Sequence, residues 1–221
     1  MNKVFNFEGP VFNFLSRLAD LFWLNLLYIL CCLPVITIGA ATTALYYVTL
    51  KMAKDEEGYI TRSYFKSFKE NFIQATLIWV IFFAVIVVMF MDFRIAGGGS
   101  MAQILNSPTV SDVVIVAVGV MAIVMLMTLM YLFPLLAQFD NTVINTIKNA
   151  FLISIRHLPY TFLMIVITAI PVALIWFSPA LMLLVLIMFS ATAYINSKFL
   201  NRIFILYMPK EEEVNGESGE E

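Results

Sequence analysis

The sequence predicts an all-α protein, a polytopic bundle of transmembrane helices, with six helices favoured, five as the alternative, and both termini in the cytoplasm. Three observations support this prediction. Of the 221 residues, 62% are hydrophobic and only 13% are charged, whereas a soluble domain carries about a quarter of charged residues. The mean hydropathy is +0.91. Long stretches without Asp, Glu, Lys or Arg recur along the chain, as expected where lipid is the solvent.

Four uncharged stretches define the predicted spans. They cover residues 21–50, 71–91, 113–139 and 158–197. A helix needs about 20 apolar residues to cross a bilayer, so the second and third stretches predict one helix each. The fourth stretch has 40 residues and predicts two helices, which are joined by a turn at Phe177, Ser178 and Pro179.

The first uncharged stretch, 21–50, leaves two alternatives. Pro34 and Gly39 lie in its middle, and proline disfavours a straight helix because it lacks a backbone donor. The stretch forms either a tight hairpin of two short spans or one kinked helix. The hairpin places 12 of the 13 Lys and Arg residues on the cytoplasmic side. A single crossing places ten on the cytoplasmic side and three outside. Because basic residues favour the cytoplasmic side, the hairpin and six spans are preferred.

The domain organisation follows from composition. Residues 1–208 are predicted to form a single transmembrane domain, and residues 209–221 an acidic, disordered cytoplasmic tail, since the tail holds six of the 15 acidic residues and lacks apolar periodicity. Residues 93–111 are rich in Gly, Ser and Asn, as an exposed loop on the outer face would be.

A weak internal repeat links the two halves. A shift of 87 residues aligns residues 45–69 with 132–156 without a gap and matches Ser67 to Ser154. Each segment reads as a helix end, a cytoplasmic loop and a basic segment that re-enters the membrane. Parallel repeats of this kind occur in transporters. Identity is low, so a general likeness between two membrane hairpins remains the alternative.

Two segments of the cytoplasmic loops, residues 60–72 and 147–159, have the pattern of basic amphipathic helices. Such helices either anchor at the membrane surface or dock onto another protein, as the coupling helices of transport complexes do. The lipid bilayer is the expected partner in the first case. The candidate docking residues are Arg62, Tyr64, Phe65, Lys66, Phe68, Lys69, Phe151, Ile155 and Arg156.

The sequence contains no pattern typical of an enzyme. One histidine, His157, and two adjacent cysteines, Cys31 and Cys32, are too few for a metal cluster. Nucleotide-binding, hydrolase and metalloprotease motifs are missing from the sequence, and no basic face indicates nucleic acid. We therefore expect no catalytic residues, cofactor, metal or nucleic-acid partner.

Several polar residues lie within the predicted spans. The candidates are Asn25, Thr37, Thr42, Thr43 and Gln138. Such side chains commonly join helices in lipid, so most are expected to be packing contacts. A solute-binding role is the alternative.

Three segments carry a family resemblance: LFWLNLLYILCCLPVITIGAATTALYYV, YFKSFKENFIQATLIW and YLFPLLAQF. They are similar to the YesL-like family of small bacterial membrane proteins, whose domain has no known function. The resemblance extends from about Phe14 to Tyr207. It implies a multi-pass protein of the bacterial plasma membrane, and a helix break at Pro34 and Gly39 that lets helices pack closely.

Members of that family are often encoded beside the sugar-binding proteins and permeases of ABC importers. The resemblance therefore implies permease subunits as partners, and a non-catalytic accessory subunit or assembly partner of an oligosaccharide ABC importer as the function. Two alternatives remain open at this point: a stand-alone solute transporter or channel, and a membrane scaffold or signalling component.

Overall fold

The computed structural model describes residues 10–56, 58–97, 108–177 and 185–208. Within these ranges the chain is helical and contains no strand, which confirms the all-α prediction. The described helices are α1 (Pro10–Cys32), α2 (Ile38–Met52), α3 (Ile60–Glu70), α4 (Phe72–Gly97), α5 (Pro108–Gln138), α6 (Val143–Arg156), α7 (Leu158–Phe177) and α8 (Val185–Phe204). Most of the predicted outer loop, part of the turn after Phe177 and the acidic tail lie outside the described residues.

The first uncharged stretch forms a hairpin of two helices. The Tyr28 hydroxyl of α1 lies 3.3 Å from the Thr42 hydroxyl of α2, while Arg17 pairs with Asp55, which follows α2. Contacts nearer the start of α1 thus fall nearer the end of α2, as two antiparallel helices require. At the tip, the Thr37 hydroxyl donates to the carbonyl of Cys31 at 2.6 Å. A side chain thus supplies a hydrogen bond to a backbone carbonyl at the helix break.

The described residues contain four helical stretches that are long and apolar enough to cross a membrane. They are Asn13–Cys32, Val35–Met52, Phe72–Ile95 and Asp112–Gln138. A fifth arises if α6 and α7, which meet at an angle of 99°, count as one broken span. The described part of α8 is not among them, because its second half carries Asn, Lys and Arg residues. Six crossings therefore remain a prediction.

Helix α2 lies at the centre of the bundle and contacts α1, α3, α4, α5 and α8. Of its stretch Val35–Met52, 56% is buried, against 11% of an apolar run of 18 residues within Asp112–Gln138 in α5. The sequence explains the difference, because α2 presents glycine and alanine residues that let neighbouring helices approach closely. By contrast, α5 exposes large apolar side chains to the surroundings, as lipid-facing helices do.

The two short amphipathic helices, α3 and α6, lie at one end of the bundle. The loop that precedes α6 is joined to the start of α4, since the Gln74 side chain donates to the Asn141 carbonyl at 2.6 Å. The end of α8 is joined to the end of α2 by a bond of 3.0 Å from Asn201 to the Leu50 carbonyl. Helix α3 follows α2 and packs on it. We call this the basic end, because Lys and Arg residues of α2, α3, α6 and α8 collect there.

Candidate functional site

One face of α3 packs against the bundle. Tyr64 and Ser67 have no exposed surface, and burial raises the pKa of the Tyr64 phenol. Phe68, partly buried, packs against the same core, and its ring lies 6.3 Å from that of Tyr64. The sequence grouped both residues with a candidate docking surface. The structure places them in the core instead, because α3 uses its apolar stripe to attach to its own protein.

The opposite face of α3 is open and basic. Arg62, Phe65, Lys66 and Lys69 are all exposed there. Together with Tyr59, Ile60 and Thr61 they line a shallow groove of about 580 Å³, which we call the α3 groove. Four of the candidate docking residues are therefore accessible and adjacent on this helix.

A second cavity, of about 270 Å³, adjoins the α3 groove between α1, the end of α2 and the loop before α3. It contains charges of both signs, from Asp20, Lys51 and Glu56. The Trp23 indole, at its edge, donates to the Thr61 hydroxyl at 2.9 Å and so joins α1 to α3. The Lys51 ammonium lies 4.5 Å from the centre of the Tyr47 ring.

Helix α6 has two apolar faces. The inner face is buried and consists of Thr146, Ala150, Ile153 and Ser154. The outer face, which we call the α6 stripe, exposes four large apolar side chains. They are Ile144, Phe151, Leu152 and Ile155. Phe151 and Ile155 are thus accessible, as the docking hypothesis requires, and the exposed Arg156 lies 5.9 Å from the ring of Tyr207.

The two halves place cavities at equivalent positions. A cavity of about 320 Å³ beside α6 is lined by Leu135, Phe139, Asn149, Leu152 and Arg156, with Tyr207 among its other residues. A shift of 87 residues maps the first five onto Val48, Met52, Arg62, Phe65 and Lys69, which line the α3 groove and its neighbouring cavity. The two segments align in the sequence, but the alignment did not predict matching cavities. The geometry favours the internal repeat.

Most of the predicted intramembrane polar residues are hydrogen-bonded within the bundle. Asn25 joins α1 to α8, since its side chain donates to the Val185 carbonyl at 2.8 Å and accepts from the Ser190 backbone at 3.0 Å. Thr42 and Thr43 donate to carbonyls of their own helix, at Ile38 and Gly39. Gln138, half-buried at the end of α5, is not brought together with the others. These residues therefore do not form one site.

A further polar contact between helices was missed from the sequence. The hydroxyls of Thr49 and Ser197 lie 2.8 Å apart, and both residues are buried. Ser190, Ser197 and Asn201 follow each other at spacings of seven and four residues, which puts them on one face of α8. This spacing of polar residues could have predicted from the sequence that one face of α8 packs against other helices.

A small cavity of about 120 Å³ lies inside the bundle. Tyr28, Thr42, Thr168 and Thr192 supply hydroxyls to its lining. The buried Asn196 donates to Thr168 at 3.2 Å, while its carbonyl oxygen has no hydrogen-bond partner among the described residues.

The break between α1 and α2 brings two helices into close contact. A β-carbon at Gly39 would collide with the Ala75 carbonyl oxygen and would lie 2.7 Å from Cβ of Trp79. The Trp79 indole donates to the carbonyl of Val35 at 2.8 Å. Pro34 precedes the short 3₁₀ turn at the tip. Pro34 and Gly39 thus shape the region where the hairpin meets α4.

The described residues contain no group of three His, Cys, Asp or Glu side chains that could hold a metal ion. Cys31 and Cys32 are free thiols. His157 lies at the bend between α6 and α7, with its Nε2 atom 3.2 Å from the Tyr207 hydroxyl. Partial burial, and secondarily the charge of Arg156, lower the pKa of His157.

Comparison with known proteins shows similarity to one family model. Residues 21–93 are similar to a family described as a protein of unknown function, DUF624. The matched part begins within α1 and ends within α4, so it contains the hairpin, α3 and the Gly39 contact. No curated protein and no solved structure matches the chain.

Proposed function

We propose that this protein is a non-catalytic membrane protein that serves as an accessory subunit or assembly partner of a transport complex in the bacterial plasma membrane, namely an oligosaccharide ABC importer. The observation that carries the docking role is the α6 stripe. Phe151, Leu152 and Ile155 are 38%, 62% and 48% exposed at the basic end. An exposed apolar patch marks a surface that a partner protein or the membrane covers, and we assign the α6 stripe to a partner protein because it lies at the basic end.

The α6 stripe is separate from the face by which α6 attaches to the bundle. That inner face is already buried through Ala150 and Ile153, so the stripe is free to meet a partner. The bend of 99° to α7 lays α6 across the end of the bundle. An apolar helix face presented in this way suits insertion into a groove of another protein.

The kind of partner is inferred from the resemblance to the YesL-like family, whose members are often encoded beside permeases and sugar-binding proteins of ABC importers. The match to a family of unknown function, over residues 21–93, contains neither α6 nor a named partner. The exposed α6 stripe supports the docking surface, and the family resemblance supports the kind of partner. One experiment should test both.

The test is affinity purification of the tagged full-length chain from its native cells in a mild detergent. We expect importer permease subunits to copurify with the wild type and to be reduced at least tenfold in the variant Phe151→Ala/Leu152→Ala/Ile155→Ala, since exposed anchors of this size contribute about 1–2 kcal/mol each. The matched control is Leu77→Ala/Ile86→Ala/Phe90→Ala, which removes the same three residue types from the exposed surface of α4. Repeated recovery of the wild type alone would overturn the proposal.

A transport activity of its own is the second candidate. The cavity beside Thr168 and the unpartnered carbonyl oxygen of Asn196 favour it, because a buried polar atom without a partner is costly in lipid. The test is solute flux into vesicles that contain the purified chain. If a panel of oligosaccharides and ions shows no flux above that of empty vesicles, this candidate is excluded.

A further inference from the structure

The exposed face of α3 concentrates positive charge. Arg62, Lys66 and Lys69 are exposed, while Tyr64 and Ser67 on the other face are buried. The three cations follow each other at spacings of four and three residues, so they are neighbours on one helix face. We propose that the α3 groove binds the phosphate group of an anionic phospholipid, in the leaflet that adjoins the basic end of the bundle.

The charge of this groove is largely uncompensated among the described residues. Glu70 approaches Lys66 at 4.0 Å, and both side chains are more than half exposed. No described carboxylate lies within salt-bridge distance of Arg62 or Lys69. An arginine fork and two ammonium groups on one face are the donors that phosphate oxygens prefer. The groove thus carries the donor groups that bind phosphate.

The position of the groove matches the level of lipid headgroups. Helix α3 ends at Glu70, and the apolar stretch Phe72–Ile95 of α4 begins two residues later. Lys69 therefore lies within one helical turn of the first residue that enters the hydrocarbon. In a bilayer the headgroup zone directly adjoins the hydrocarbon core, so the phosphates of neighbouring lipids and the α3 cations lie at a similar depth.

Apolar side chains in the same groove favour a lipid over a free phosphate ion. Tyr59 is 83% exposed, Phe65 is 39% exposed, and Ile60 also lines the groove. Aromatic rings at this level of a membrane contact the glycerol and the first part of the acyl chains.

The equivalent surface of the second half lacks this charge. Under the shift of 87 residues, Arg62 and Lys66 correspond to Asn149 and Ile153, so that only the counterpart of Lys69, Arg156, is basic. The two halves thus differ in chemistry: α3 presents three cations, whereas α6 presents an apolar stripe. The lipid site belongs to α3 alone, and it does not depend on the docking role proposed for α6.

The proposal can be tested by titrating the purified full-length chain, in a neutral detergent at low salt, with a short-chain fluorescent phosphatidylglycerol. We expect binding to the wild type to be much stronger than that of the matching phosphatidylcholine. The variant Arg62→Gln/Lys66→Gln/Lys69→Gln should lose about 100-fold in affinity, since each cation near anionic lipid contributes roughly fivefold. All three side chains are exposed, so the variant should remain folded and monodisperse.

The control is Lys148→Gln/Lys198→Gln/Arg202→Gln, which removes the same three charges from exposed positions elsewhere at the basic end. We expect it to change affinity less than threefold. The variant Arg62→Lys keeps the charge but loses the guanidinium fork, so its affinity should lie between those of the wild type and the triple variant. An equal loss in the control would overturn the proposal, because the binding would then reflect net charge. Displacement of the lipid by millimolar inorganic phosphate or by an acidic hexapeptide would also overturn it.

Discussion

Gly39 shows how a single residue sets a helix contact. The position on α2 faces the backbone of Ala75 and the Cβ atom of Trp79 on α4, and the side chain of Trp79 reaches back to the Val35 carbonyl. In lipid, helices gain stability mainly from close packing, and small residues permit it. The break at Pro34 and the absence of a side chain at Gly39 therefore act together, since the first reverses the chain and the second lets the returning helix reach α4.

The substitution Gly39→Ala should destabilise the fold. The added methyl group would collide with the Ala75 carbonyl oxygen, and since this is backbone, α2 and α4 must move apart. We expect a loss of roughly 1–3 kcal/mol in the free energy of unfolding, as for other overpacked positions. Thermal unfolding of the purified chain in detergent, followed by size-exclusion chromatography, measures the effect.

Gly119→Ala is the control for that measurement, because nothing lies within 4 Å of a β-carbon built at Gly119 on α5. We expect it to leave the unfolding temperature unchanged or slightly raised. Equal behaviour of the two variants would show that Gly39 is not a tight contact.

Among the elements, α8 is held by polar side chains rather than by apolar surface alone. Asn25 of α1 is hydrogen-bonded to the first turn of α8, and Thr49 of α2 to Ser197 in the middle of α8. Near the end of α8, Asn201 is hydrogen-bonded to α2. Polar contacts have no water to compete with them in lipid, and each still contributes only about 0.6 kcal/mol on average. The stability of α8 in the bundle is therefore spread over several contacts of similar strength.

Asn25→Leu should weaken the attachment of α8. The change keeps a similar volume and removes two hydrogen bonds, to the Val185 carbonyl and from the Ser190 backbone. We expect a loss of about 1–2 kcal/mol in the free energy of unfolding in a denaturing detergent. Asn145→Leu, at an exposed position of α6, serves as the control and should change stability by less than 0.5 kcal/mol or so. If both variants unfold together with the wild type, Asn25 contributes no net stability.

For the whole molecule, the main asymmetry lies between its two ends. One end holds α3, α6 and the basic residues of several helices, and the hairpin tip at Leu33 and Pro34 lies at the far end of α1 and α2 from it. Basic residues near spans favour the cytoplasm. The orientation that we expect has the basic end inside the cell and the hairpin tip outside.

Cysteine labelling should reveal this orientation. In a background with Cys31→Ala and Cys32→Ala, we expect a membrane-impermeant maleimide to label Leu33→Cys in intact cells, since Leu33 is 73% exposed at the tip. Lys66→Cys and Lys148→Cys should be labelled only after the membrane is permeabilised. Labelling of Lys66→Cys in intact cells would reverse the orientation, and a lack of labelling at Leu33→Cys would argue against two crossings by the hairpin.

Local composition was sufficient to predict the class of this protein. The uncharged stretches, the break at Pro34 and the basic amphipathic segments all appear as helices, a hairpin and two short helices in the described residues. These features depend on properties summed over about 20 consecutive residues, such as hydropathy and charge. No long-range contact is needed to recognise them, which is why the chain itself indicates a membrane bundle.

Only the tertiary structure decided which face of each helix is buried and which is exposed. Tyr64 and Phe65 are neighbours in the sequence and equally aromatic, and only the first is buried, because α3 lies against α2. Likewise, residues 87 positions apart came to line similar cavities, and Ser197 became the partner of Thr49. Such pairings arise between helices that are distant in the chain. Hydropathy describes how each helix meets lipid, whereas close packing determines which helix faces meet each other.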